Sequence, residues 1–212
     1  METDDKESNY DWFEDLYANS GNDTSKIPWS DLQGNSYLQE WIEKQDMTSY
    51  RNKSVLIVGC GIGGDAELLS HYFGKVSAFD VSPSAIKWVK EKYYNSKINY
   101  YTADLFDKKA LFHTEGPYDF IFEAYTIQAL PQNLQFSAMK IISKLVAKGG
   151  ELLVICDGRK NNEEGFTMPH PLSKDDLATF EKQLTMASFE ELEGHRRRGF
   201  SKRTFRVLYN ML

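Results

Sequence analysis

Beyond residue 53 the chain alternates between short apolar runs and longer stretches whose apolar residues recur at helical spacing. The run SVLIV at 54–58 is apolar after its first residue, which marks a strand buried on both faces of a parallel sheet. Further strands are predicted at 75–79 (KVSAF), 98–101, 118–123 and 151–156. Helices are predicted at about 65–73, 83–92 and 132–148, with another starting at Ser173. Local chemistry supports these ends. Ser82 is a good N-cap and Pro83 suits the first helical turn, while Gly149 and Gly150 would stop the third helix. Ser173 and Asp176 have capping-box spacing. Strands alternating with helices build βαβ units, hence an α/β fold with helices on both faces of a mostly parallel sheet. The two strand-like runs at 189–193 and 204–208 have only a short connection, so the chain should end in a hairpin with an antiparallel strand.

The first fifty residues follow a different pattern. Trp12, Phe13, Tyr17, Trp29, Tyr37 and Trp41 stand among Asp, Asn and Ser, with a short helix, a loop and a second helix at about 36–45. We divide the chain into an aromatic cap over 1–50 and one domain over 51–212, since 212 residues suit a single domain.

Charge and composition narrow the function. A net charge of −6 disfavours nucleic acid, whose phosphates need clustered Lys and Arg. The basic stretch His195, Arg196, Arg197 and Arg198, with Lys202, Arg203 and Arg206, reads as a solvated edge or turn between two strands. No apolar run is long enough to cross a bilayer, and the acidic start METDDKESNYDW resembles neither a signal nor a transit peptide. A cytoplasmic protein is expected, either monomer or homodimer. Cys60 and Cys156 sit in or beside apolar runs and read as two small buried thiols. The four histidines share no ligand spacing, so no metal is expected.

The first predicted strand runs into Gly59, Cys60, Gly61, Ile62, Gly63 and Gly64, and a helix follows. Glycine lets the backbone turn sharply and lets a ligand approach without a Cβ in the way. Asp80 closes the second strand, where a carboxylate can accept ribose hydroxyls. Two cofactors compete for this loop. Gly59, Gly61 and Gly64 match the dinucleotide spacing of an NAD(P)-dependent oxidoreductase. Gly59, Gly61 and Gly63 match the loop of enzymes that use S-adenosylmethionine. The loop's late start, the lack of room for a separate substrate domain, and Asp104 after the third strand favour the second.

The blocks VLIVGCGIGGDAELL, SAFDVSPSAIKWVKEK, YYTADLFD, YDFIFEAYTIQALP and LVAKGGELLVI resemble, in order and spacing, a class I S-adenosylmethionine-dependent methyltransferase over about residues 52–157. Upstream, IPWSDLQGNSYLQEWI is similar to the entrance segment of the thiopurine and thiol methyltransferase group. The resemblance implies a three-layer Rossmann-like methyltransferase fold with a seven-stranded sheet and an antiparallel C-terminal strand. It implies that Gly59, Cys60, Gly61 and Gly63 line the methionine end of the cofactor, with Asp80 on the ribose and Val81 beside the adenine. Asp104 and Leu105 would meet the adenine amine and ring. Glu123 and Ala124 would end the fourth strand under the methionine moiety, followed by Tyr125. Trp29 would belong to a lid over cofactor and substrate. Ile57 stands where many relatives carry an acid near the methionine ammonium, which leaves that work to Glu123.

Methyl transfer from a sulfonium is an in-line displacement, so the protein mainly aligns the groups and excludes water. A thiol needs little base, whereas an oxygen or nitrogen acceptor needs one. Candidate catalytic residues are Tyr125, just after the fourth strand, and His170, in the loop FTMPHPLS. Gln128, Asp157 and Arg159 are further loop candidates, the last better suited to a loop salt bridge than to an anionic acceptor; His71 and His113 read as surface or helix-end residues. No Asn/Asp-Pro-Pro-Tyr run follows the fourth strand, which argues against amino-methylation of bases or glutamine. The expected activity is methyl transfer to a small-molecule acceptor, a thiol or other soft nucleophile, yielding S-adenosylhomocysteine. The alternatives are an NAD(P)-dependent oxidoreductase and a non-catalytic S-adenosylmethionine-binding module.

Overall fold

The structure is a computed structural model, and it describes residues 11–29, 34–107, 116–163, 169–193 and 203–212. Helix α1 (Asp11–Ser20) and α2 (Ser36–Glu43) precede strand β1 (Ser54–Val58). Then come α3 (Gly64–Ser70), β2 (Lys75–Asp80), α4 (Pro83–Lys92), β3 (Asn99–Thr102), β4 (Tyr118–Ala124) and α5 (Gln132–Lys144). The chain closes with β5 (Val146–Asp157), α6 (Lys174–Leu177), β6 (Thr185–Glu193) and β7 (Arg203–Asn210).

The seven strands form one sheet in the order β3-β2-β1-β4-β5-β7-β6. All neighbours are parallel except β7, which runs antiparallel to both β5 and β6. The order reverses between β1 and β4, and in open α/β sheets ligands bind in the crevice at the carboxyl ends of such strands. One face packs on α2, α3 and α4 through Leu38, Trp41, Leu69 and Val89; the other packs on α5 and residues 177–184 through Met139, Ile142 and Phe180. Val55, Leu56, Ile57 and Val58 are all buried, as a strand covered on both faces requires. Each such side chain contributes roughly 1.5–3 kcal/mol relative to exposure.

The capping signals operate as read. Ser82 Oγ accepts the Ala85 N–H at 3.0 Å, with Pro83 in the first turn. Ser173 and Asp176 complete a reciprocal capping box. Two expectations need correction. The third predicted helix ends at Lys144, not 148, because the Leu145 carbonyl accepts the Tyr118 N–H at 2.8 Å and Val146 already pairs with Tyr118 in the sheet. Gly149 and Gly150 therefore lie within β5, where the pairing with β4 shifts register, and not at a helix end.

Arg206 is the second correction, since it is 2% exposed instead of lying on a solvated edge. It projects from β7 onto α2, donates to the Tyr37 carbonyl at 2.7 Å and pairs with Glu190 and Glu40. Arg203 keeps the surface role, pairing with Glu163 and Glu191. His113, His195 to Arg198 and Lys202 lie outside the described residues. Among the described residues no helix is long and apolar enough to cross a membrane.

Candidate active site

The glycine loop leaves β1 at the crevice, and two of its glycines are required for different reasons. Gly59 has φ +65°, and a Cβ there would meet Thr126 Oγ1 at 2.2 Å; Thr126 sits just past β4, so the loop and the β4 end are pressed together. Thr126 Oγ1 in turn donates to the Val58 carbonyl at 3.1 Å. Gly61 has φ +50°, and its Cβ would lie 2.8 Å from the Tyr17 hydroxyl of α1. Gly63 caps α3, and Cys60, beyond the end of β1, is half-buried instead of buried; Cys156 is buried as expected.

Asp80 ends β2 and is 7% exposed. Its Oδ2 accepts the Gly61 N–H at 2.8 Å and its Oδ1 the Ser82 N–H at 3.0 Å. Burial pushes its pKa up, and these backbone bonds partly offset that. The carboxylate thus fixes the glycine loop while standing at the crevice. Val81 is half-buried beside it. Past β3, Asp104 Oδ1 accepts the Phe106 N–H at 2.8 Å and shapes a turn that buries Leu105.

At the end of β4, Glu123 is fully buried. Its Oε1 accepts the Thr126 and Ile127 N–H groups at 2.8 and 2.9 Å, whereas Oε2 has no partner. Burial raises its pKa to about 7 against those two bonds. Ile57 is buried in the core among Val55, Phe120 and Leu153. Ala124 completes β4, and Tyr125 follows with φ +62°, a backbone conformation rare for a bulky residue. Burial, with the Asp157 carboxylate nearby, pushes its phenol well above the ordinary range.

The acceptor-side candidates come together in part. Gln128 is buried against Asp157 of β5, and the His170 N–H donates to the Gln128 carbonyl at 2.7 Å. Burial raises the Asp157 carboxyl, opposed by Gln128, and Asp157 in turn raises the Tyr125 phenol. Arg159 is consumed by the loop: it bonds the Pro171 carbonyl at 3.0 Å, the Glu163 carbonyl at 2.8 Å and Asp176 at 2.6 Å. His71 is an exposed helix end. Among the described residues no His, Cys, Asp and Glu side chains group as metal ligands.

Trp29 is 41% exposed, and its Nε1 donates to Tyr17 Oη at 2.9 Å. It also meets Trp12 and Phe13 edge-on, and those two rings stack at 3.9 Å. Glu14, which bonds Ser82 and Ser84, and Tyr17, which meets Gly61, stand beside the glycine loop and were not marked by motif reasoning. Their only sequence signal was the aromatic density of the first fifty residues.

A model of the thiopurine S-methyltransferase family matches residues 19–205. The chain belongs to the thiopurine S-methyltransferase family. It is therefore an S-adenosylmethionine-dependent methyltransferase, and the nicotinamide reading of the loop falls. No curated protein sequence matches the chain. Solved structures share the fold at low identity. The magnesium protoporphyrin IX methyltransferase ChlM of Synechocystis PCC 6803, with bound S-adenosylhomocysteine, is 13% identical with a TM-score of 0.70, covering 96% of this chain and 100% of its own. The N-methyltransferase NodS of Bradyrhizobium japonicum WM9, also with S-adenosylhomocysteine, is 18% identical with a TM-score of 0.67, covering 88% and 95%. TehB of Haemophilus influenzae is 16% identical with a TM-score of 0.68; the match covers 89% of this chain and spans 65% of TehB.

Proposed function

We propose that this member of the thiopurine S-methyltransferase family methylates a small-molecule thiol in the cytoplasm. The observation that carries the reading is the bond from the Gly61 N–H to Asp80 Oδ2 at 2.8 Å, which joins the glycine loop to a buried carboxylate at the sheet's switch point. The residues present fit the cofactor. Gly59, Cys60, Gly61 and Gly63 hold its methionine end, Asp80 its ribose, and Val81, Asp104 and Leu105 its adenine. The unpartnered Oε2 of Glu123 suits the amino-acid ammonium in place of the acid that Ile57 lacks. Ala124 and Tyr125 complete the floor, and Trp29 covers it.

S-Adenosylmethionine supplies an electrophilic methyl carbon on a sulfonium. The chain's part is to orient, to exclude water and to hold protons. Trp12, Phe13 and Trp29 shield the crevice. The Tyr125 phenol keeps its proton and so donates a hydrogen bond to the acceptor. His170 stands beside Gln128 on the acceptor side and takes the thiol proton where one is shed. A soft nucleophile needs no stronger base. The family's description as an S-methyltransferase supports sulfur as the acceptor atom. The net charge of −6 supports a small molecule over nucleic acid.

Calorimetric titration with S-adenosylmethionine, S-adenosylhomocysteine and NADH should give binding of the first two alone. A thiophenol assay that follows S-adenosylhomocysteine should then show turnover. Cofactor binding without thiol turnover, but with turnover of an amine or phenol, would replace the thiol.

A further inference from the structure

We propose that Glu14 is a positioning residue that latches α1 over the cofactor and sets how fast S-adenosylhomocysteine leaves. The inference rests on the glycine loop being the cofactor site. From α1, the Glu14 carboxylate reaches the first turn of α4. Its Oε2 accepts the Ser82 hydroxyl at 2.5 Å and the Ser84 N–H at 3.1 Å, and its Oε1 accepts the Ser84 hydroxyl at 2.5 Å. A carboxylate at a helix N-terminus is also favoured by the aligned peptide dipoles. Ser82 lies two residues beyond Asp80, so the latch grips the segment that carries the ribose carboxylate.

Glu14 and Tyr17 are three apart on α1 and share a face of the helix. Fixing Glu14 therefore fixes the Tyr17 hydroxyl, which stands 2.8 Å from where a Gly61 Cβ would be and accepts the Trp29 indole N–H. Tyr17 and Ser20 are buried, and Trp12, Phe13 and Leu16 of the same helix are partly buried against the core, so the latch adds a directed polar fastening to an apolar contact. One more feature points inward. Trp12 Nε1 is buried without a hydrogen-bond partner, while Trp12 and Phe13 pack against the core cluster that holds Leu105, with Val81 and Phe106 at its margin. A buried indole N–H without an acceptor is costly, and a ligand oxygen or nitrogen on the adenosine side would satisfy it. Cofactor and α1 then stabilise each other, and α1 must lift for the product to go.

Stopped-flow tryptophan fluorescence on mixing the protein with S-adenosylhomocysteine gives both rate constants. Glu14→Ala should raise the dissociation rate about tenfold, as expected for lost charged hydrogen bonds. Glu14→Gln, which keeps acceptor capacity, should fall between it and the wild type. Ser84→Ala should move in the same direction and serves if Glu14→Ala fails to fold. A melting temperature that drops while both rate constants hold would make Glu14 a structural residue only and overturn the latch. A wild-type protein that binds no S-adenosylhomocysteine would instead remove the glycine-loop reading, and the latch with it.

Discussion

Gln128 and Asp157 hold each other by two hydrogen bonds: Gln128 Nε2 donates to Asp157 Oδ2 at 2.9 Å, and the Asp157 N–H donates to Gln128 Oε1 at 2.6 Å. One side chain thus ties the loop after β4 to the end of β5, and the Gln128 backbone carbonyl accepts the His170 backbone N–H. Gln128→Ala would leave the half-buried Asp157 carboxylate and N–H unpaired, at a cost of about 1–3 kcal/mol. Denaturant unfolding should show that loss, with cofactor affinity unchanged and acceptor turnover reduced. Equal loss of cofactor affinity would place Gln128 on the cofactor side.

Asp80→Ala removes a carboxylate that accepts the Gly61 and Ser82 N–H groups. Calorimetry should record cofactor binding weakened by roughly 1–3 kcal/mol in a folded variant. Unchanged affinity would remove Asp80 from the ribose.

Glu123 sets a pH dependence. Its pKa is raised to about 7 in the fold, from an ordinary glutamate value of 4.5, so the folded protein holds a proton that the unfolded chain releases. Stability from this group is full below pH 4.5 and is lost as pH rises to about 7, on the order of 3 kcal/mol in all. Glu123→Gln, which still accepts the Thr126 and Ile127 N–H groups, should flatten that decline in urea titrations run across the window. A decline of wild-type size in the variant would assign it to other groups.

Trp29→Ala deletes a partly exposed ring and the donor to Tyr17. Because so much of the ring is in solvent, the ligand-free melting temperature should change little, while cofactor affinity and turnover fall. A large drop in melting temperature without ligand would make Trp29 a core residue.

The βαβ alternation, the Ser82–Pro83 start of α4 and the Ser173–Asp176 box were legible because each depends on residues close in sequence. The glycine loop with Asp80 was legible because its chemistry forces residue types at fixed spacing. The start of β5 was not: Val146 joins the sheet only because Tyr118, far away in sequence, offers it a partner. Arg206 looked like one more surface cation in a basic stretch, since nothing nearby announces that Tyr37, Glu40 and Glu190 will enclose it. Glu14 likewise reads as an ordinary acid on a polar helix until Ser84 arrives from across the fold.

The register of β1 on β2 has a consequence for assembly. Val58 pairs with Phe79, so Asp80 follows one step beyond, within reach of Gly61. Slip that pairing by one residue and the carboxylate turns to the opposite face of the sheet, away from the loop it anchors. The ligand-binding competence of the crevice is therefore all-or-none with the central strands. A chain that has not locked this one pairing has no weak version of the site, only none.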